Sequence, residues 1–329
     1  MSARPTLHDV ARAAGVSTAT VSRCLSDPAR VSEGARERVA RAVDALGYVP
    51  HLGARMMAAS RSHLMGAIVP TLANAMFAEA LQAFEDALGA EGYGLVVAAS
   101  GYDPAREADL IRTLAARGCE GLLLVGQGRD AGALGFLDRS GLPAVATWAA
   151  AGPLPHVGFD NRAAMRAMVG EAVALGHRRV AVLTAPASGN DRARGRRDGA
   201  RDALRAAGLA PVAEAEAPYD LDAAASAAGG LLAARPTCLA CGSDVLAAGA
   251  MLAARAAGLR VPEDVSVTGF DDLALARAVT PALTTVRVPH AAMGAGAAAA
   301  LTGRIGGAGP EERVLATEVV RRGSLASPR

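Results

Sequence analysis

Four residues near the start of the chain have the types and the helical spacing that contact with nucleic acid requires. They are Thr18, Ala19, Ser22 and Arg23. A helix that turns Val21 and Leu25 towards a core would place these four on its opposite face. Hydroxyls and a guanidinium there can contact phosphates and base edges, and small side chains let a helix lie deep in a major groove. The spacing therefore predicts a DNA-recognition helix.

Start and stop signals on both sides make this helix the second of a pair. Thr6 and Asp9 fit a capping box that starts a first helix. Gly15 supplies the permissive backbone of a turn, and Ser17 offers an N-cap oxygen for the second helix, which runs to about Leu25. Two short helices joined by a glycine turn form a helix-turn-helix, although a helical hairpin that packs without DNA has the same pattern.

A third helix is predicted to complete this N-terminal region, with Ser32 as its cap and Gly47 as its stop. Its apolar stripe consists of Ala35, Val39, Ala42, Val43 and Leu46. Residues 1–65 hold nine Arg against five Asp and Glu, a net +4, whereas the rest holds 25 Arg against 27 acids, a net −2. Contact with phosphates requires such a basic region, so the charge distribution favours DNA binding.

Beyond this region, short apolar runs alternate with helical segments in two series, over residues 67–146 and 180–268. This alternation indicates parallel βαβ units with right-handed crossovers. We therefore predict an all-α headpiece followed by an α/β region with two doubly wound parallel-sheet lobes. Crossings between the lobes are expected near residues 150–160 and 281–289, and ligands would bind in the cleft at the carboxyl ends of the strands.

Length and composition suit large cores: the chain has 329 residues, of which 51% are hydrophobic. Two or three domains are expected at this length. The N-terminus has no apolar stretch behind its first charges, and no apolar run is long enough to span a membrane. We therefore expect a cytoplasmic protein without a secretory signal or a membrane span.

Patterns that could indicate metal or cofactor chemistry are better explained by packing. Cys238 and Cys241 lie in a predicted strand without a second ligand pair, which favours a buried, reduced pair over metal or redox chemistry. Gly294-x-Gly296-x-x-Ala299 resembles a dinucleotide fingerprint, but no strand precedes it in a first βαβ unit. A small-residue helix packed on a sheet is the favoured interpretation. We expect no catalytic site, no metal and no cofactor.

Motifs along almost the whole chain resemble the lactose and galactose repressor family of transcriptional regulators. They are Thr6 to Arg23, Val31-Ser32, Leu46-Gly47-Tyr48-Val49-Pro50, Ala54-Arg55 and Gly66-Ala67-Ile68-Val69-Pro70. The resemblance implies a DNA-binding headpiece over 1–50, a hinge over 51–63 and a two-lobed effector-binding and dimerisation region of periplasmic-binding-protein type over 64–329. It also implies a homodimer on a near-palindromic operator. The C-terminal segment has no leucine heptads, which favours a dimer over a tetramer.

The resemblance assigns DNA contacts to the headpiece and the hinge. Thr18, Ala19 and Arg23 would read bases. The residues expected to position phosphates are Thr6, Ser17, Thr20 and Ser22, and the further expected contacts are Tyr48, His51, Ala54, Arg55 and Met57. Residues 51–59 would become helical on DNA and insert Met57 between base steps of the minor groove, where the family usually has Leu.

The effector residues of the family fall on a second set of positions. They are Phe77, Trp148, Asp160, Arg196, Ser243 and Asp271. Asp271 would accept hydrogen bonds from ligand hydroxyls, Arg196 would grip hydroxyls or a carboxylate, and the two aromatic residues would line the pocket. Each of two residues has an alternative interpretation without a ligand contact. Trp148 would only fill the core, and Arg196 would belong to a solvent-exposed run of arginines.

The stretches 100–104 and 157–161 are similar to the gluconate-utilisation branch of the family, which favours a sugar acid such as gluconate, although a neutral pentose or hexose remains open. Met76 stands where purine-binding members have an aromatic residue, which makes a purine less favoured. We expect a repressor of carbohydrate or sugar-acid utilisation genes that a small sugar-like effector releases from DNA. The alternative is a sugar-binding protein of a transport system, which would need an export signal and no basic headpiece.

Overall fold

A computed structural model describes residues 5–49 and 61–329. The chain divides into two units, Met1–His63 and Leu64–Arg329. The helices of the first unit are α1 (Leu7–Ala14), α2 (Thr18–Ser26) and α3 (Glu33–Leu46), with a 3-10 turn over Pro28–Arg30. Both halves of the Thr6–Asp9 capping box form, and Gly15 and Gly47 end α1 and α3 in the left-handed conformation, as predicted.

A small core holds these helices together. Val10 and Val21 are fully buried, and Val39 is 2% exposed. The third helix agrees with the prediction except at its last residue. Ser32 is its N-cap, as predicted, although the Ser32 side chain makes no capping hydrogen bond. Leu46 is 36% exposed because the apolar stripe runs out at the last residue of the helix.

The second unit begins with alternating strands and helices, which form the first lobe. They are β1 (Leu64–Val69), α4 (Ala75–Ala90), β2 (Gly94–Ala99), α5 (Pro104–Ala116), β3 (Gly121–Val125), α6 (Ala131–Ser140), β4 (Ala144–Thr147) and β5 (His156–Gly158). The second lobe follows with the same alternation. Its elements are α7 (Asn161–Ala174), β6 (Val180–Thr184), α8 (Asp191–Ala206), β7 (Ala213–Glu216), α9 (Leu221–Leu232), β8 (Cys238–Cys241), α10 (Asp244–Ala256), β9 (Ser266–Thr268), α11 (Ala274–Ala278) and β10 (Thr285–Arg287).

The last elements of the chain return to both lobes. They are α12 (His290–Ile305), β11 (Glu312–Val314) and β12 (Glu318–Val320). In the described part of the chain, the sheet of the first lobe is parallel with the order β11-β5-β4-β3-β1-β2, and that of the second is parallel with the order β7-β6-β8-β9. Strand β12 pairs antiparallel with β10. The predicted α/β region with two doubly wound lobes is thus confirmed.

The chain crosses between the lobes at residues 159–160, 288–289 and 315–317. The first two crossings lie at the ends of the ranges predicted for them, 150–160 and 281–289. The earlier part of each range belongs to one lobe: 150–155 is a loop and 156–158 the strand β5 of the first lobe, and 285–287 is the strand β10 of the second. The third crossing was not predicted.

The glycine-rich motif lies in α12 and packs against α4, as the packing interpretation predicted. A Cβ atom on Gly294 would collide with the carbonyl oxygen of Ala80, and one on Gly296 would come within 2.9 Å of the Val157 side chain. Cys238 and Cys241 are fully buried in β8 as free thiols. Within residues 5–49 and 61–329, no helix is long and apolar enough to cross a membrane.

Candidate functional site

The outward face of α2 presents the residues that were predicted to read bases. The Ser17 oxygen caps this helix by accepting a hydrogen bond from the Thr20 backbone N–H at 3.1 Å, and it shares a 2.9 Å hydrogen bond with the Thr20 hydroxyl. Ala19 and Arg23 are exposed, and Thr18, Thr20 and Ser22 are half-buried. Small side chains next to an exposed guanidinium form a surface that fits a major groove.

The capping box of α1 uses the functional groups of Thr6. Its hydroxyl donates to Asp9 Oδ2 at 2.6 Å, and its backbone N–H donates to the same oxygen at 2.9 Å. These hydrogen bonds lower the pKa of the Asp9 carboxyl. In this structure the Thr6 hydroxyl proton is committed to Asp9, so Thr6 acts as a helix cap. Its contact with a phosphate stays a prediction.

Tyr48 was predicted to contact DNA, but it is only 8% exposed and packs in the core with Val10 and Val39. It is buried because its backbone N–H donates to the Val43 carbonyl, which folds the chain back after α3. The other predicted DNA contacts, His51, Ala54, Arg55 and Met57, and the predicted hinge helix over 51–59 lie outside the described residues.

Arg196, on α8, is the centre of a buried polar cluster in the second unit. It is 1% exposed, so the reading that placed it in a solvated run is wrong. Its guanidinium donates to Asn161 Oδ1 at 2.8 Å, to the Gly242 carbonyl at 2.7 Å and to Asp271 Oδ1 at 3.2 Å. It also lies 3.8 Å from the centre of the Phe270 ring. Three of its five N–H groups are therefore occupied within the protein.

Asp271 is 2% exposed, and its second carboxylate oxygen, Oδ2, has no hydrogen-bond partner among the described residues. Burial raises the pKa of this carboxyl to about 6, against the opposing effect of Arg196. A buried acceptor without a donor is costly, so this oxygen is suited to receive a ligand hydroxyl.

Trp148 follows β4 and is fully buried against Phe77, with ring centres 5.1 Å apart in an edge-to-face arrangement. Burial agrees with the core-filling reading, yet its indole N–H has no partner in the described structure. Its carbonyl accepts a hydrogen bond at 2.8 Å from Asn161, which belongs to the other lobe. Trp148 therefore lies at the seam between the lobes and keeps an unused donor there.

Asp160 and Ser243 are not part of this cluster, because both act as helix caps. The Asp160 carboxylate is exposed and accepts hydrogen bonds from the first N–H groups of α7. The Ser243 hydroxyl oxygen is buried and accepts one from the Leu246 N–H at 3.2 Å. Their predicted contact with an effector has no support in this geometry.

Other polar groups at the seam were missed by the sequence reasoning. Asn74 Nδ2, the Tyr102 hydroxyl and both ring nitrogens of His290 are buried without a hydrogen-bond partner among the described residues. The His290 ring lies 6.0 Å from that of Trp148, and burial lowers its pKa to about 4. Asn74 lies between the end of β1 and the start of α4, and His290 is the first residue of α12, directly after the second crossing. These positions in the chain were the only sequence signal that pointed to them.

Asp244, the first residue of α10, holds the loop that carries Asp271. It is fully buried, and its two carboxylate oxygens accept hydrogen bonds from the Thr285 hydroxyl at 2.6 Å and the Leu273 N–H at 2.7 Å. Burial, followed by the nearby charge of Asp271, raises the pKa of Asp244 to about 7. Asp244 is thus a positioning residue for the cluster.

Comparisons with known proteins agree with this architecture. Residues 6–51 match the family model described as bacterial regulatory proteins, lacI family, and residues 169–325 match a periplasmic binding protein-like domain. The chain is 37% identical over 315 residues to the HTH-type transcriptional regulator GntR of Pseudomonas aeruginosa, covering 92% of this chain and 90% of that protein. It is 31% identical over 322 residues to the GntR regulator of Escherichia coli K12, covering 95% of each.

Solved structures show the same likeness. The lac repressor dimer bound to operator and the anti-inducer ONPF superposes with a TM-score of 0.87 at 28% identity, covering 98% of this chain and 100% of that chain. The transcriptional regulator CelR in complex with cellobiose superposes with a TM-score of 0.72 at 31% identity, covering 98% and 100%.

The raised pKa of Asp244 predicts a pH-dependent stability. Its proton is held more tightly in the folded than in the unfolded chain, so the stability it contributes is complete below about pH 4 and is lost as pH rises through about 7. Asp244→Asn cannot ionise. Its free energy of unfolding, relative to the wild type, should therefore rise from pH 5 to 8, by at most about 1.4 kcal/mol per pH unit.

Urea unfolding at several pH values measures this difference. Asp130→Asn is the control, because Asp130 is an exposed cap of α6 whose oxygen an asparagine can replace. The same measurement on this variant should show no trend. A difference for Asp244→Asn that is independent of pH would contradict the prediction.

Proposed function

Because this chain belongs to the lacI family of bacterial regulatory proteins, we propose that it represses carbohydrate or sugar-acid utilisation genes and that a small polyhydroxylated effector controls its affinity for operator DNA. It binds DNA through α2 and the effector at the seam between its two lobes. The observation that carries the effector part is the buried, unpartnered Asp271 oxygen beside Arg196.

The chemistry of the seam suits a sugar-like molecule. Asp271 Oδ2 offers an acceptor, while the indole N–H of Trp148 and the amide N–H groups of Asn74 offer donors. The Phe77 ring supplies an apolar surface against which the C–H face of a sugar can pack. A molecule that carries many hydroxyls can satisfy these donors and acceptors together, whereas an apolar molecule would leave them unpaired.

An effector at this seam can act on the arrangement of the lobes. Direct hydrogen bonds already join them: Asn161 donates to the Trp148 carbonyl, and the Gln127 N–H donates to Asp191 Oδ2 at 2.6 Å. A ligand that touches both lobes adds to these contacts only in the closed arrangement. Its preference for that arrangement, about 1 to 3 kcal/mol in typical allosteric proteins, is the free energy available to change operator affinity.

A groove on the second lobe is suited to hold a second copy of the chain. It has a volume of about 700 Å³ and lies between α9, α10 and α11. Leu221 and Leu252 on its walls are 41% and 45% exposed, and Arg255, Arg260 and Glu263 contribute charges of both signs. Exposed leucines on the walls of one groove favour association, and a twofold dimer would match a near-palindromic operator.

Arg23→Ala tests the DNA surface. The probe is a near-palindromic duplex that the wild-type protein selects from a random pool, compared with a scrambled duplex by fluorescence anisotropy. Loss of a guanidinium that contacts a base should reduce the preference for the selected duplex about tenfold or more. Arg41→Ala is the control, because Arg41 is exposed on α3 and paired with Glu37. An equal loss on both duplexes would mean that Arg23 contacts only phosphate.

Leu252→Glu tests the dimer. A carboxylate on this wall would have to be desolvated in the interface, so the variant should sediment as a monomer at concentrations at which the wild type is a dimer. Val314→Glu, on the exposed strand β11, makes the same chemical change outside the groove and should leave the mass unaltered. A dimeric Leu252→Glu, or a monomeric wild type, would refute this interface.

Asp271→Asn tests the effector site, with the fluorescence of the single tryptophan, Trp148, as the readout. Gluconate and a panel of sugars and sugar acids are the probes. The variant keeps an oxygen for Arg196 but presents N–H where Oδ2 accepted, so affinity for the ligand that binds the wild type should fall about tenfold or more. Asp130→Asn should bind as the wild type does. Unchanged affinity in Asp271→Asn would exclude Asp271 as a ligand contact.

A further inference from the structure

The angle between α1 and α2 decides whether the outward face of α2 can meet base edges. Side chains that recognise a ligand must be held to within about 0.5 Å of their productive positions. Contacts with phosphates are mainly Coulombic and less directional, so they tolerate more variation. Only residues 15–17 join the two helices, and their orientation must be fixed by contacts elsewhere in the headpiece.

The apolar core of the headpiece supplies little of this orientation. Apart from Tyr48, its buried residues are alanines and valines, namely Val10, Ala11, Ala14, Val21, Val39 and Ala42. Such short side chains have few atoms that interlock, and dispersion contacts have no preferred direction. A hydrogen bond is strong only when it is well aligned. One hydrogen bond at the turn therefore adds an orientation that this core does not provide.

Arg38 on α3 makes a hydrogen bond of this kind. Its Nε–H donates to the carbonyl oxygen of Ala14, the last residue of α1, at 3.2 Å. The backbone N–H groups of the turn, those of Gly15 and Val16, donate instead to the carbonyls of Arg12 and Ala11. The last carbonyls of a helix have no donor within it, and Ala14 is buried. The Arg38 side chain thus pairs an oxygen that would be costly to leave unpaired.

The charge and the path of the Arg38 side chain suit this contact. The carbonyl end of a helix carries a partial negative charge, so a cation is favourable beside Ala14. Gly34 precedes Arg38 by one turn of α3, and a Cβ atom on Gly34 would lie 3.8 Å from Arg38 Nη1. The guanidinium therefore lies over a glycine, which leaves it room to turn towards α1.

We propose that Arg38 is a positioning residue for DNA recognition. Its hydrogen bond to Ala14 fixes the end of α1 against α3 and so sets the orientation in which α2 presents its base-reading face. Arg38 is exposed and basic, which by itself suggests attraction to phosphates, but its main effect is on sequence preference and runs through α2. This inference rests on the proposed binding of DNA through α2.

Two uncharged replacements separate the hydrogen bond of Arg38 from its charge. Arg38→Gln places a side-chain N–H donor at the same number of bonds from the backbone as Arg38 Nε. Arg38→Met has a similar length and helix propensity but no donor. Because both variants lack the charge, a difference between them reports the hydrogen bond alone.

Fluorescence anisotropy on the full-length protein measures affinity for the selected duplex and for its scrambled counterpart, and the ratio of the two is the sequence preference. Without the hydrogen bond, α2 is correctly oriented in a smaller fraction of molecules, which lowers affinity for the selected duplex by that fraction. Arg38→Met should therefore reduce the preference about fivefold or more, as expected for one hydrogen bond. Arg38→Gln should keep it within about twofold of the wild type.

Arg41→Met is the matched control. It makes the same substitution on the same helix, at an exposed arginine that pairs with Glu37 of α3 at 3.8 Å. This variant should keep the sequence preference of the wild type. A loss as large as that of Arg38→Met would mean that any arginine of α3 has this effect, which would overturn the proposal.

The remaining outcomes also decide the matter. An equal loss of preference in Arg38→Gln and Arg38→Met would assign the effect to charge, and a preference retained in both would leave Arg38 without a role in recognition. Equal weakening of both duplexes by Arg38→Met would indicate a role in folding alone. Each of these results overturns the proposal. A wild-type protein that selects no duplex from the random pool would instead refute the proposed DNA-binding function itself.

Discussion

The buried ion pair between Arg196 and Asp271 is the interaction on which the second unit depends. Both side chains are about 1% exposed, and taking two charges out of water is costly unless their remaining donors and acceptors are paired. Contacts between Arg196 and its neighbours offset part of this desolvation cost, but Asp271 Oδ2 has no hydrogen-bond partner among the described residues. Asn161, the Gly242 carbonyl and the Phe270 ring come from three different segments of the second lobe, so the pair also fixes where these segments meet.

The loop that carries Asp271 is held against its own backbone preference. Asp271 and Asp272 both have positive φ angles, 106° and 56°, which side-chain-bearing residues adopt at a cost. Asp244 fastens one end of this loop through the Leu273 N–H, and Asp272 is bound by Arg287 at 2.8 Å and Arg322 at 2.6 Å. Since Arg287 lies in β10, which leads into the second crossing, the carboxylate that faces the seam is tied to the segments that join the lobes.

The sequence predicted the headpiece and the two lobes because their signals are local. Caps, glycine stops and apolar runs gave α1, α2 and the strands β1 to β4 and β6 to β9 to within a few residues, but not β5 or β11 of the first sheet. Strand β5 was missed because it has three residues that follow a proline-rich loop, and α7 was missed because it buries several faces, including Met165 and Met168. The pairing of Arg196 with Asp271 and the unpartnered amide of Asn74 depend on tertiary contacts that no local pattern encodes.

The three crossings have a consequence for the order in which this protein can fold on the ribosome. The first lobe takes its strands β1 to β5 from the early part of the unit. Helix α12, which packs so closely on α4 that Gly294 must be a glycine, is synthesised only after the strands β6 to β10 of the second lobe. Strand β11, the edge of the same sheet, comes later still. Until α12 is synthesised, the face of α4 that α12 covers stays exposed, and its apolar surface can contact other nascent chains. The second lobe, although it begins later, has its whole sheet available sooner.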